Sequence, residues 1–151
     1  MQKSIKIDRI SFQLGMINCF VEMVACGVKK LALSPPLRPE DYGIIAESSD
    51  KIVEGFGIKS YLDKSLMVTD LQSEDFTKGK WAILYYEDDY VLQSYLALKE
   101  KKVQLENSGQ YDSQARKDIS RKFMRLLSYP ENKIEEKLVK ETPSSPFMLV
   151  D

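Results

Sequence analysis

The stretch ISFQLGMINCFVEMVACG, residues 10–27, is the longest run of low charge in the chain, and its pattern decides the fold. At 3.6 residues per turn, one face of a helix here carries a first apolar stripe of Ile10, Leu14, Ile17, Phe20, Val21 and Val24. The nearly opposite face carries a second apolar stripe of Phe12, Met16, Cys19, Met23 and Cys26. Between them lies a small, polar sector of Ser11, Gly15, Asn18, Glu22 and Ala25.

Two apolar faces predict a helix that is covered on both sides, because a surface helix needs only one apolar stripe. We therefore expect residues 10–26 to form a buried central helix whose first stripe packs on its own domain. The second stripe should meet another surface, and a twin subunit would provide one. Asp8 is suited to cap this helix and Gly27 to end it.

The composition is that of a globular domain. Of the 151 residues, 43% are hydrophobic and 30% are charged, which is not a disordered composition. We place a single domain at residues 1–141, followed by a tail at residues 142–151. The tail ends in an apolar segment, 147–150, which we expect to dock on its own domain or on a neighbour. The formal net charge of −1 does not favour nucleic acid or an anionic membrane as a partner.

The chain has no histidine, and this absence restricts its chemistry. Within one chain it excludes Ser-His-Asp and Cys-His catalysis and histidine-ligated zinc sites. Cys19 and Cys26 lie two helical turns and about 10 Å apart along the predicted axis, too far for a disulfide between them. Buried free thiols are typical of a reducing compartment, so we expect a cytoplasmic protein. Polar residues interrupt the run at residues 10–27, which therefore predicts neither a secretion signal nor a membrane span.

The rest of the chain predicts strands first and helices afterwards. Residues 28–34, 58–62, 66–69 and 81–86 predict four strands, with residues 4–7 as a short edge strand. The second and third are separated by three residues, a length typical of a hairpin. A helix is predicted from Pro39 to about Glu54, and three more at residues 89–106, 112–127 and 130–141. The sequence thus predicts an α/β or α+β fold, with a small mixed sheet of about four strands, a buried N-terminal helix and a helical C-terminal third.

Hydroxyl and carboxylate side chains lie at the carboxyl ends of three of the predicted strands. They are Ser34, Thr69, Asp70, Glu87 and Asp88. Ligands of open α/β sheets sit beyond the carboxyl ends of the strands, so these side chains would converge if the strands ran parallel. Ser34 and Thr69 would then bind a ligand, while Asp70, Glu87 and Asp88 could act in catalysis or hold Mg²⁺ carrying a phosphate. The commoner explanation is that Asp88 or Asp89 caps a helix and that Thr69 and Asp70 begin a turn.

Glu22 is a further catalytic candidate. It is the one charged residue between the two apolar stripes, and burial there would suit its carboxyl group to general acid or base catalysis, with Cys26 one turn further on. Alternatively, the polar sector faces water or pairs with a basic residue of another helix. Two cysteines and one carboxylate fall short of the four ligands of a zinc site.

The helix predicted at residues 112–127 has a basic face, formed by Arg116, Lys117, Arg121, Lys122 and Arg125. Such a face resembles a phosphate-contacting surface, but acidic residues are close by. No helix-turn-helix spacing or aromatic interleaving accompanies it. The pattern therefore favours a solvated surface over nucleic-acid binding.

No catalytic signature is present, so the sequence does not decide whether the protein is an enzyme. The first hypothesis is a self-associating, non-catalytic or regulatory protein, a homodimer that pairs through the second apolar stripe and the segment 147–150. The second is a Mg²⁺-dependent enzyme, or a binding protein, for a small anionic ligand that bears phosphate. The first requires an exposed apolar patch, and the second a concave site with several oxygen ligands.

Overall fold

The computed structural model describes residues 4–71 and 74–139. Its elements are α1 (Arg9–Ala25), β1 (Leu31–Leu33), α2 (Pro39–Phe56), β2 (Lys59–Asp63), α3 (Glu74–Thr77), β3 (Ala82–Tyr86), α4 (Asp89–Asn107), α5 (Ser113–Leu126) and α6 (Glu131–Leu138). The predicted domain boundary at residue 141 and the apolar segment 147–150 lie outside these residues. None of the helices in the described ranges combines the length and the hydropathy needed to cross a membrane.

The sheet is built around β3. The strand order is β1-β3-β2, and both neighbours run antiparallel to β3. All five residues of β3 are buried, as its continuous apolar and aromatic sequence predicts. Leu84, at its centre, lies opposite Leu33 on β1 and Tyr61 on β2.

Helices cover both faces of the sheet. Ile83 and Tyr85 of β3 belong to the core formed with α1 and α2, whereas Leu84 and Tyr86 belong to the core formed with α4 and α5. This division follows from the two-residue period of a strand, which points successive side chains to opposite faces. The small sheet therefore separates two apolar cores.

The predicted fold class is confirmed, but the sheet differs from the prediction. The molecule is α+β with a helical C-terminal third, and its described residues form three antiparallel strands instead of a mixed sheet of four. Residues 66–69 are not a strand, and the predicted hairpin is wrong. The Asp63 carboxylate accepts a hydrogen bond from the Ser65 backbone N–H (3.0 Å), which turns the chain out of the sheet. Residues 4–7 form no strand either, because Ile5 is 87% exposed and has no buried surface to join.

The N-terminal helix forms as predicted. The Asp8 carboxylate caps it by accepting a hydrogen bond from the Ser11 backbone N–H (2.9 Å). Ile17, Val21 and Val24 of the first apolar stripe are buried against α2 and the sheet. This single stripe provides the contact between α1 and the body of the domain.

The second apolar stripe is not enclosed. Phe12 and Met16 are half-buried, and Cys19, Met23 and Cys26 are exposed. The described elements that contact α1 most are α2, β1 and β3, which all lie on its other side. The expectation that both flanks of the helix are covered is therefore wrong for the single chain.

Candidate ligand-binding cavity

A cavity of about 230 Å³ lies between the sheet, the segment at residues 66–71 and α5. Tyr129 and Lys137 stand at its rim, on the connection to α6 and on α6 itself. Its lining is mostly apolar and includes Leu33, Met67, Tyr95, Phe123 and Leu127. A concave apolar space with a few polar groups is the usual form of a small-molecule site.

Residues 66–71 form one wall of the cavity, and α5 holds this segment in place. The Asp70 backbone N–H donates to Ser120 Oγ (3.0 Å), and the Ser120 hydroxyl donates to Asp70 Oδ2 (3.0 Å). Arg116 forms an ion pair with the other carboxylate oxygen of Asp70. Ser120 is fully buried, so its two hydrogen bonds are shielded from water and fix the wall.

A buried polar network holds the cavity residue Tyr95 in one orientation. The Tyr95 hydroxyl donates to Asp63 Oδ2, and Lys99 Nζ donates to Asp63 Oδ1 (2.8 Å). Lys99 Nζ also donates to the Ser65 carbonyl (2.7 Å). Burial raises the pKa of Tyr95, and the hydrogen bond to Asp63 raises it further, so the hydroxyl keeps its proton and remains a donor.

Two lysines and a tyrosine form the polar rim. Lys29 Nζ lies 5.8 Å from the centroid of the Tyr129 ring, and Lys137 Nζ lies 5.3 Å from the same centroid. Burial lowers the pKa of Lys29, because loss of hydration disfavours the ammonium form. In the part of the chain that the structure describes, neither ammonium group has an ion-pair partner. Two lysines that have no ion-pair partner within the described ranges therefore contact one aromatic ring at the entrance to an apolar space.

The two hydroxyl residues predicted to bind a ligand, Ser34 and Thr69, both line this cavity. The Ser34 hydroxyl is already hydrogen-bonded within the protein. It donates to the Pro35 carbonyl (3.0 Å) and accepts from the Ile83 N–H (2.9 Å). Thr69 Oγ1 accepts from the Leu71 N–H (3.2 Å). Its own proton has no acceptor among the described residues, so Thr69 can donate to a bound molecule.

The predicted carboxylates do not converge. Because β3 runs antiparallel to β1, Glu87 and Asp88 follow β3 at the opposite end of the sheet from Ser34. Asp70 is bound to α5, and Asp88 stands at the N-cap position of α4 without a capping hydrogen bond from its side chain. Residues 4–71 and 74–139 contain no group of three acidic or thiol side chains that could hold a metal ion. The geometry therefore does not assemble the Mg²⁺ site predicted at Asp70, Glu87 and Asp88.

Glu22 and Cys26 are both exposed on the outer side of α1. The burial on which the acid or base role of Glu22 depended is absent. The polar sector of α1 faces water, which is one of the alternatives that the sequence leaves open.

The basic face of α5 is largely neutralised. Its three arginines form ion pairs: Arg116 with Asp70, Arg121 with Asp118 and Glu135, and Arg125 with Glu131. Lys117 and Lys122 have no ion-pair partner in the described ranges. The free positive charge on this face is thus smaller than the sequence suggested.

Sequence reasoning missed the three rim residues. Lys29 lies near the start of a segment whose sequence predicts a strand, and Tyr129 precedes the proline that opens the last helix. Lys29 and Tyr129 are 100 positions apart in the chain, and neither is part of a motif. No local spacing signals their contact, which arises only when α5 packs on the sheet.

Comparison with protein-family models, with curated proteins and with solved structures found no match to this chain. The chemistry of the cavity is therefore that of its own side chains. They supply apolar walls, a hydroxyl donor at Thr69, and two ammonium groups at Lys29 and Lys137.

Proposed function

We propose that the protein binds a small amphipathic carboxylate in this cavity, with the carboxylate at the rim and the apolar part inside. The observation that carries the proposal is a pair of lysines, Lys29 and Lys137, that have no ion-pair partner among the described residues and contact one ring at the mouth of an apolar space. This proposal develops one of the two functions expected from the sequence, binding of a small anion, but assigns the anion to two lysines instead of to Mg²⁺ at Asp70, Glu87 and Asp88.

The charges at the rim favour an anion. Burial makes the charge on Lys29 costly, and no carboxylate of the described residues pairs with either lysine. A carboxylate bound at the rim would offset this cost and form charge-assisted hydrogen bonds. The Thr69 hydroxyl can add a further hydrogen bond to a polar atom of the ligand.

The volume limits the size of the ligand. A cavity of about 150 Å³ lined by aliphatic and aromatic side chains accepts benzene. The cavity of about 230 Å³ found here leaves room for a chain of about six carbons or a phenyl group with a short linker. Hexanoate and 3-phenylpropionate are ligands of this class.

The proposal is tested by measuring hexanoate affinity by calorimetry. Replacing Lys29 or Lys137 with glutamine should weaken binding about tenfold or more, because each change removes a charged hydrogen bond. Lys64→Gln is the matched control. Lys64 Nζ lies 4.9 Å from the centroid of the Trp81 ring, and Lys64 does not line the cavity. Affinity for hexanol equal to that for hexanoate would contradict the proposal, because the rim charges would then contribute nothing.

Self-association through α1 is a second candidate function. It is favoured by the exposure of Cys19, Met23 and Cys26, which lie side by side on the second apolar stripe. If two copies pair there, Met23→Lys should shift the mass measured by light scattering from dimer to monomer. Ile44→Lys is the control, because Ile44 is a more exposed apolar residue, on α2. A monomeric wild-type chain at high concentration excludes this candidate.

A further inference from the structure

Lys29 has the surroundings of a nucleophilic amine. It is half-buried at the rim of an apolar cavity, and no carboxylate of the described residues pairs with it. A second cation, Lys137, lies against the same Tyr129 ring. Burial disfavours the ammonium form of Lys29 and lowers its pKa, because the charged group loses hydration. The uncharged amine is the form that attacks a carbonyl group.

Lys137 has a different position in the fold. It lies in the last turn of α6, where the helix dipole stabilises a positive charge. Lys29 precedes β1 and belongs to no helix. The two lysines are therefore suited to different tasks, Lys137 to holding an anion and Lys29 to reacting with a carbonyl.

We infer that Lys29 forms an imine with an oxo acid whose carboxylate is held at Lys137. The inference rests on the proposed function, since an oxo acid with an apolar chain is an amphipathic carboxylate of the same class. The chain of the oxo acid occupies the apolar part of the cavity, beside Met67 and Phe123.

The reaction balances without a further reactant. The lone pair of the Lys29 amine forms a bond to the carbonyl carbon, and the carbonyl oxygen leaves as water after taking up two protons. One ammonium group and one ketone thus give one iminium group and one water molecule, with no change in oxidation state. The iminium nitrogen keeps the positive charge, so the charge at the rim is unchanged.

The test traps the iminium in the full chain. The protein is incubated with 2-oxohexanoate and sodium cyanoborohydride, which delivers hydride to the iminium carbon and leaves a secondary amine. Peptide mapping by mass spectrometry should find a 1-carboxypentyl group on Lys29. Labelling should be about tenfold faster there than on the adjacent, exposed Lys30, because the cavity holds the reacting groups together. Hexanoate should slow the labelling of Lys29 by competition.

Two variants separate this inference from the proposed function. Lys29→Arg keeps the positive charge but lacks a reactive amine, so it should give no product at position 29 whatever its affinity for hexanoate. Lys137→Gln should keep the product at Lys29 but need a higher concentration of 2-oxohexanoate. If wild-type protein binds hexanoate but Lys29 is labelled no faster than Lys30, the inference is wrong and the proposed function stands. If hexanoate does not bind, both are wrong.

Discussion

At the scale of single residues, Asp63 shows how one buried side chain organises its neighbours. Its side chain is 4% exposed, and it accepts hydrogen bonds from Tyr95, Lys99 and the Ser65 N–H. A buried carboxylate is tolerated only when such partners replace its hydration. Asp63 thereby ends β2, turns the chain towards the cavity wall, and orients a tyrosine of the cavity.

We expect Asp63→Ala to lower the free energy of unfolding by about 3 kcal/mol, because it leaves the buried Tyr95 hydroxyl without its acceptor and the half-buried Lys99 without its ion-pair partner. Urea denaturation measures this loss. Glu47→Ala is the control, since the Glu47–Lys51 pair is exposed on both sides and should change stability by less than about 0.5 kcal/mol. Equal losses in the two variants would show that burial does not determine the contribution of Asp63.

At the scale of elements, the segment at residues 66–71 shows where a local pattern misleads. Its apolar residues resemble a short strand, yet the segment makes no pairing with the sheet. A cavity wall also needs apolar side chains, and Leu66, Met67 and Val68 all line the cavity. The decisive contacts come from Ser120, 50 positions later, which no window of local sequence contains.

Ser120→Ala should loosen this wall. Removing the hydroxyl breaks both hydrogen bonds to Asp70 and leaves the Asp70 N–H without its acceptor, which costs about 1–2 kcal/mol. Hydrogen exchange of the Asp70 and Leu71 amides should become about tenfold faster or more, and hexanoate should bind more weakly. Ser94→Ala on α4 is the control, because the exposed Ser94 hydroxyl bonds only within its own helix. If hydrogen exchange of the Asp70 amide is unchanged, contacts other than those of Ser120 hold the wall in place.

At the scale of the whole molecule, the elements that can be predicted from the sequence are those whose hydrophobic residues recur with a regular period. Whereas the short helix α3 lies in a stretch whose sequence predicts a loop, the five longer helices and the central strand β3 follow from patterns of burial that each segment carries by itself. The order and direction of the strands do not, because they depend on contacts between distant segments. The same limit applies to the site. Ser34 and Thr69 were selected on the premise of parallel strands, and they line one cavity although the strands are antiparallel. The cations at Lys29 and Lys137 meet only in three dimensions.

Tyrosines buried in both cores predict that the molecule loses stability in alkaline solution. Burial raises the pKa of Tyr85 and Tyr95 well above the ordinary value of about 10, and it raises the pKa of Tyr129 as well. Above about pH 10, the unfolded chain therefore releases protons that the folded chain keeps, so the free energy of unfolding falls as pH rises. The lowered pKa of Lys29 acts in the opposite sense, but one half-buried amine is outweighed by two buried hydroxyl groups.

Urea denaturation from about pH 8 to about pH 11 measures this dependence. Tyr85→Phe should cost about 1 kcal/mol at neutral pH, because it removes the hydrogen bond between Tyr85 and Ser49 (2.8 Å). Above about pH 10 it should reduce the loss of stability by up to about 1.4 kcal/mol per pH unit, the contribution of one proton. Tyr90→Phe is the matched control, because it makes the same change at a tyrosine that is 53% exposed. If the slope is the same for Tyr85→Phe and for wild type, ionisation of buried tyrosine does not cause the alkaline transition.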